Sequence, residues 1–205
     1  MIIGIDGCVA TGKTTLARSL SDRLHSGLIP EYVRPAGTIV EPTAIQAHYF
    51  DEEALRGNVV CGDAVVDRTL LSQVAHAVAI EPCIPGSSAY LERRLRDRGE
   101  RSWGVHPDRF VWLSDVPYRN QLRLRLRENS EFAEGTASLL GEESYMRTFD
   151  AVLRTIGARL PPDRFARMEA CPNPRAGITK LRTRPVSKWA KGDTLRVVLD
   201  CLVSP

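Results

Sequence analysis

The chain has 205 residues, a formal net charge of +3, 43% hydrophobic residues and 26% charged residues. This excludes a mainly disordered chain and supplies enough apolar surface for a sizeable core. The charge is too mild to imply nucleic acid by itself, and the length suits one domain with room for an appendage.

The N-terminus, Met1-Ile2-Ile3-Gly4-Ile5-Asp6, has no basic n-region, and no stretch approaches the roughly 18 to 20 apolar residues of a membrane helix. Neither a signal peptide nor a membrane span is expected. The cysteines are Cys8, Cys61, Cys83, Cys171 and Cys201, odd in number, widely spaced and without a C-x-x-C pair. That pattern suggests neither a disulfide framework nor a zinc site, and a reducing cytoplasm is the expected home. The positive side chains are skewed: Lys13 is the one lysine before Lys180, and every other cation up to there is arginine.

In chain order, a β-type run spans Ile2 to Asp6. After a Gly-containing turn, Leu16, Leu20 and Leu24 mark one face of a helix from Lys13 to about His25. Leu28-Ile29 leads into a loop holding Glu31, Arg34, Pro35, Gly37 and Glu41. Residues 43–56 read as a helix, and Asn58 to Asp67 as a buried strand. A helix from about Leu70 to Ala79 is broken by Pro82, Pro85 and Gly86 and followed by another over 88–98. Phe110 to Leu113 is a short strand ending near Asp115-Val116-Pro117. An Arg-rich helix runs from Arg119 to about Glu128, followed by a polar segment over 129–141 and a helix over 142–157. Phe165 to Ala170 reads as a strand, 172–193 as a loop or short appendage, and Leu195 to Val203 as a last strand or helix. Apolar strands alternating with helices imply a parallel sheet covered on both faces.

The densest chemical signal is Gly7-Cys8-Val9-Ala10-Thr11-Gly12-Lys13-Thr14, which fits G-x-x-x-x-G-K-[ST] at every fixed position. Phosphates need many N–H donors at close range, and such a loop wraps backbone around an anion. The following helix adds its free N–H groups and the positive end of its dipole. Lys13 reaches the β- and γ-phosphates, and the Thr14 hydroxyl suits Mg²⁺. Residues Gly7 through Thr15 are therefore the expected ATP-binding segment, with Thr15 the least needed of them. No N-K-x-D is present to read a guanine base, and the chain is short for a helicase core. A small kinase or a simple ATPase remains.

The sequence resembles the thymidylate kinase and deoxynucleoside kinase group of P-loop phosphotransferases over roughly residues 1–157. Gly7 to Thr15 is close to the deoxynucleoside kinase loop. Ile29-Pro30-Glu31 resembles the segment that carries the catalytic glutamate in those enzymes. Pro35-Ala36-Gly37-Thr38 resembles the P-G-G-T turn of thymidylate kinases, and Val65-Val66-Asp67-Arg68 their D-R motif, with Ser72 and Ala75 also matching. Pro107-Asp108 through Val116-Pro117 resembles their fourth strand, and Arg123, Arg125 and Arg127 fall where lid arginines lie. The departures are Val9 in place of a loop acid, Val33-Arg34 in place of Arg-Glu, and His76-Ala77 in place of Tyr-Gln. They point away from thymidylate itself. With no arginine in the loop, the resemblance implies that the catalytic cation comes from the lid.

Individual residues carry competing readings. Glu31 orients or deprotonates an acceptor hydroxyl, or holds Mg²⁺ through water, or is a surface carboxylate. Asp67 faces the ligand crevice at a strand end, as a metal or substrate ligand, or caps the next helix. Arg68 and Arg34 fork onto a substrate phosphate, or are exposed arginines. Arg123 and Arg127 share a helix face that Arg125 does not, so those two are the lid candidates, against a solvated charged face. Asp115 is a second acidic ligand or a turn residue before Pro117. Tyr49, Phe50 and Trp103 stack on a base or pack the core, the latter being simpler, as it is for His76. The Lys/Arg-containing tail touches RNA or is a solvated loop.

The resulting expectation is a P-loop α/β three-layer sandwich with a central parallel sheet of about five strands flanked by helices. Residues 1–160 form the kinase core with a lid near 119–141. Residues 161–205 complete the same domain or form a small basic appendage. The expected reaction moves the γ-phosphoryl group of ATP, with Mg²⁺, to a nucleoside or nucleoside monophosphate. Lys13, Glu31, Asp67, Arg123 and Arg127 are the catalytic candidates, Arg34 and Arg68 bind substrate, and Thr14 and Asp67 serve the metal. The partner is a small acceptor rather than nucleic acid or membrane, and a homodimer is left open. The alternatives are a kinase of a non-nucleotide metabolite or antibiotic, and a regulatory ATPase or nucleotide switch.

Overall fold

A computed structural model describes residues 1–32, 42–57, 62–127, 142–169 and 189–203. The elements run β1 (Ile2–Gly7), α1 (Lys13–Leu24), β2 (Gly27–Ile29), α2 (Pro42–Arg56), β3 (Ala64–Asp67), α3 (Leu70–Ile80), α4 (Ser87–Arg98), a 3₁₀ turn (Gly99–Ser102), β4 (Arg109–Ser114), α5 (Pro117–Arg127), α6 (Glu143–Arg159), β5 (Phe165–Glu169) and α7 (Lys191–Val203). The five strands form one parallel sheet in the order β2-β3-β1-β4-β5. This is the expected α/β sandwich.

Alternation along the strands builds the layers, because successive side chains point to opposite faces. Ile3, Ile5, Val65, Val111 and Leu113 pack with Leu16, Ala17 and Leu20 of α1. Phe110 and Trp112 turn to the other face and join Leu71, Val74, Phe149, Leu153, Val198 and Leu202 of α3, α6 and α7. Phe50 and Trp103 belong to that second core, being 0% and 2% exposed, so packing is their role.

Several boundaries move for local reasons. The strand expected over 58–67 is Ala64–Asp67, because the backbone bends at 62–63; residues 58–61 lie outside the described part. Helix α1 stops at Leu24, where His25 turns left-handed at φ 50°. Helix α5 starts two residues early, at Pro117, whose fixed φ and missing N–H suit a first helical position. The last element is a helix and begins at Lys191, so 191–193 are not loop. Its apolar residues Leu195, Val198 and Leu202 are buried.

Helix α2 meets the segment after the 3₁₀ turn backbone to backbone. A Cβ on Gly104 would collide with the carbonyl of Glu53, and one on Gly57 with the carbonyl of Gly104. Contact this close seats the end of α2 against the segment that leads into β4. Gly104→Ala is therefore expected to lower stability by about 2 kcal/mol, an overpacking cost read from urea unfolding.

Candidate active site

All strands point the same way, so their carboxyl ends lie on one edge of the sheet, where open α/β sheets bind ligands. The loop after β1, Glu31 after β2, Asp67 and Arg68 at the end of β3, and Asp115 after β4 are all there.

The loop is shaped by its backbone. Ala10 sits at φ 60° and Gly12 at φ 91°, both left-handed, and Gly12 is the residue before α1. A side chain at Gly12 would be strained by that conformation. No side chain caps α1, so its first N–H groups are left for an anion. The Cys8 carbonyl accepts from Lys13 Nζ at 2.6 Å and Thr11 Oγ1 at 3.0 Å, folding the lysine back over the loop. Lys13 is 5% exposed. Burial, with Arg68 adding to it, pulls its ammonium down to about 8; Glu31, Cys8 and Asp67 oppose the shift. These groups are thus the electrostatic neighbours of the loop lysine.

Asp67 is buried and its carboxyl is pushed above the ordinary carboxylate range, by burial first, against a hydrogen bond with Thr14. Its Oδ1 is buried with no partner among the described residues. Helix α3 is capped by Thr69, whose Oγ1 accepts from Leu71 N at 3.2 Å, so Asp67 does not serve as the cap. A buried, unsatisfied carboxylate oxygen beside a threonine hydroxyl fits a hard divalent cation. Thr14 and Asp67 are the residues that would hold Mg²⁺.

Glu31 and Arg68 form an ion pair. Arg68 has φ 64°, uncommon for a residue with a Cβ. Both of its peptide groups are tied down: its N–H donates to Ile5 O at 2.9 Å, and its carbonyl accepts from Arg56 at 2.7 Å. Such strain persists where neighbours over-determine it, and it clusters at functional sites.

Arg56 and Glu53 on α2 were not singled out by sequence reasoning. Arg56 is 8% exposed, and its guanidinium gathers the carbonyls of Ile29 (3.4 Å), Pro30 (2.7 Å), Asp67 (2.8 Å) and Arg68 (2.7 Å). It lies over the Tyr32 ring, 4.7 Å from its centroid, and pairs with Glu53 at 3.1 Å. Glu53 also accepts from the Tyr32 hydroxyl at 2.9 Å. The i,i+3 spacing of opposite charges was the available signal. Gln46, Tyr49, Phe50 and Glu53 share a face of α2. The Tyr49 ring lies 5.6 Å from Tyr32. Both amide atoms of Gln46 are buried without a partner among the described residues.

Asp6 was also missed. It is 0% exposed and accepts from Thr69 N (3.0 Å), Thr69 Oγ1 (2.8 Å) and Ser72 Oγ (2.6 Å), which docks α3 onto β1. The signal was a carboxylate inside an apolar strand. His76 packs as expected, with Nδ1 2.8 Å from the Tyr145 hydroxyl, and burial lowers it to about 4.

Arg123 reaches the loop: its Nη1 donates to Ala10 O at 3.3 Å and to Asp115 Oδ2 at 2.6 Å. Thr15 is exposed on α1. Arg34, the 35–38 turn and the remainder of the expected lid, 128–141, lie outside the described residues, as does the side chain of Arg127.

Two pH effects follow. Phosphate binding needs Lys13 charged, so ATP affinity is expected to fall as pH rises through about 8. Lys13→Arg should abolish that dependence yet bind more weakly, because a fork does not fit the loop; calorimetry across pH 7–9 reads both. Burial raises Glu53 to about 7 from an ordinary 4.5. Between those values Glu53 in the folded state holds a proton the unfolded chain has released, so this group's contribution to stability falls as pH rises through that window, by on the order of 3 kcal/mol. His76 and His106, which burial lowers to about 4, contribute with the opposite sign between about 4 and 6.5. Glu53→Gln is expected to remove this one contribution, so that in urea unfolding the variant loses less stability than the wild type as pH rises from about 4.5 to 7, while Asp150, which burial raises to about 6, keeps its own share.

No protein-family model and no curated protein matches the chain. Solved structures do. A deoxyadenosine kinase from M. mycoides with bound dCTP is 16% identical, with a TM-score of 0.64 over 88% of this chain and 96% of that one. The dATP complex of that enzyme gives 16% and 0.63 over 88% and 97%. Its complex with dCMP and dCDP gives 15% and 0.64 over 88% and 96%. At such identity the likeness is one of fold: the chain has the P-loop kinase fold that its motifs led us to expect.

Proposed function

We propose that this protein is an ATP-dependent kinase that phosphorylates a hydroxyl group of a nucleoside. The observation that carries the reading is the Glu31–Arg68 pair beside a buried Lys13 and a P-loop. The loop amides and Lys13 hold the phosphates of ATP. Thr14 and Asp67 would hold a divalent cation, which would supply charge neutralisation of the phosphates. Glu31 takes the proton of the acceptor hydroxyl as its oxygen attacks the γ-phosphorus and the bond to the ADP oxygen breaks. Arg68 fixes the Glu31 carboxylate and keeps further N–H donors for the acceptor. Arg123, held against Ala10 O, meets the charge spread over the transferred group.

The choice of a nucleoside rests on α2. The Gln46 amide, with no partner among the described residues, offers an NH₂ donor group beside a carbonyl acceptor, which suits the edge of a base, on the face that also carries Tyr49. The fold shared with deoxyadenosine kinase complexes containing dCTP and dATP agrees with this.

The test is a panel of nucleosides, nucleoside monophosphates and non-nucleotide hydroxyl compounds with γ-labelled ATP. Nucleosides are expected to be labelled. Glu31→Gln is expected to lower kcat by about 100-fold or more with KM for ATP little changed. Gln46→Leu is expected to raise KM for the nucleoside by about tenfold. Near-normal turnover of Glu31→Gln would overturn the hydroxyl acceptor, and label appearing on monophosphates alone would replace it with a phosphate.

A further inference from the structure

The carboxylate of Asp115 lies just past β4, next to the phosphate loop. Strand β4 pairs with β1 so that Leu113 faces Gly7, which fixes the start of the Asp115 turn against the first residue of the loop. The Asp115 side chain is 3% exposed. Its Oδ1 accepts from Val116 N at 2.8 Å, which orients the carboxyl group, and its Oδ2 takes Arg123 Nη1 at 2.6 Å. Arg119 also approaches, but at 3.8 Å and with its side chain 63% exposed, so it is the weaker partner.

The same Arg123 Nη1 reaches Ala10 O at 3.3 Å. Both contacts use one nitrogen, so Nη2 and Nε have no partner among the described residues. Arginine has five N–H donors in a rigid fork. Anchoring one end aims the other.

We infer that Asp115 is a positioning residue that holds Arg123 over the phosphate loop before nucleotide arrives, leaving Nη2 and Nε to meet the transferred phosphoryl group. The inference rests on the proposed phosphoryl transfer and deepens it. A donor already in place needs no reorganisation when charge develops, and this makes electrostatic catalysis effective. In the step itself the acceptor oxygen, or water, forms the new P–O bond while the bond to the β-phosphate oxygen of ADP breaks. The acceptor proton leaves to Glu31 or solvent. Asp115 neither gains nor loses a proton.

The test is a double-mutant cycle on ATP consumption, with and without nucleoside. Arg123→Ala is expected to lower kcat by about 100-fold or more. Asp115→Asn is expected to lower it by about tenfold, with KM for ATP within about twofold. In the Arg123→Ala background, Asp115→Asn is expected to cost nothing further, which a merely structural role would not produce. Asp115→Glu keeps the charge and displaces it by one methylene. It should show an intermediate kcat, and it carries the test if Asp115→Asn does not fold. Equal losses in both backgrounds would overturn the inference, as would unchanged or increased turnover in Asp115→Asn. If no acceptor stimulates the wild type, the kinase reading fails, while the coupling of Asp115 to Arg123 is still read on hydrolysis. A wild type that consumes no ATP overturns both.

Discussion

One guanidinium organises the acceptor side of this molecule. Arg56 reaches from α2 to four carbonyls at the ends of two neighbouring strands, those of Ile29, Pro30, Asp67 and Arg68. Carbonyls at strand ends lack ladder partners, and leaving them buried without donors is costly. Arg56 supplies several donors at once from a single plane. Glu31 follows directly on Pro30, and Asp67 and Arg68 are themselves held, so the geometry of the candidate carboxylates is inherited from a residue that need not touch substrate.

That arrangement has a counterpart on the phosphate side. Lys13 folds onto Cys8 O, and Arg123 is shared between Ala10 O and Asp115. Cations at this edge are thus tethered to carbonyls or carboxylates rather than left in solvent. The division of labour between residue types follows from their shapes. A flat fork can bridge several oxygens, as Arg56 does, whereas the loop position needs a compact ammonium on a slender stem. The scarcity of lysine in the sequence gains a meaning at this one position.

The P-loop, the five strands and the two-faced alternation were legible, because each is a local pattern: a fixed spacing, or a period of two. Arg68 and Arg123 were legible as candidates through motif and helix spacing. The conformation of Arg68 was not, since φ 64° follows from hydrogen bonds to Ile5 and Arg56, distant in sequence. Arg56 was hidden for a similar reason. Four of its partners are backbone carbonyls, which carry no residue identity, so the i,i+3 spacing to Glu53 is the one hint that side chains give. The last helix was ambiguous because a short apolar run such as Leu195 to Val203 suits either element until its packing against α4 and α6 is known. Gln46, whose amide has no partner among the described residues, is marked by no spacing in the sequence.

The docking of α3 by Asp6 bears on how such a chain acquires its shape. The bonds from Asp6 to Thr69 and Ser72 close loops of 63 and 66 residues. Strand β1 is the central strand, yet its neighbours are β3 and β4, at Ala64–Asp67 and Arg109–Ser114. During synthesis β1 and its buried carboxylate emerge well before β3, α3 and β4, which flank the strand and bond the carboxylate. Closing such loops costs entropy that non-local contacts repay late, a topology associated with slower folding. The phosphate loop, which precedes β3 and β4 in the chain, is among the last features to gain its walls.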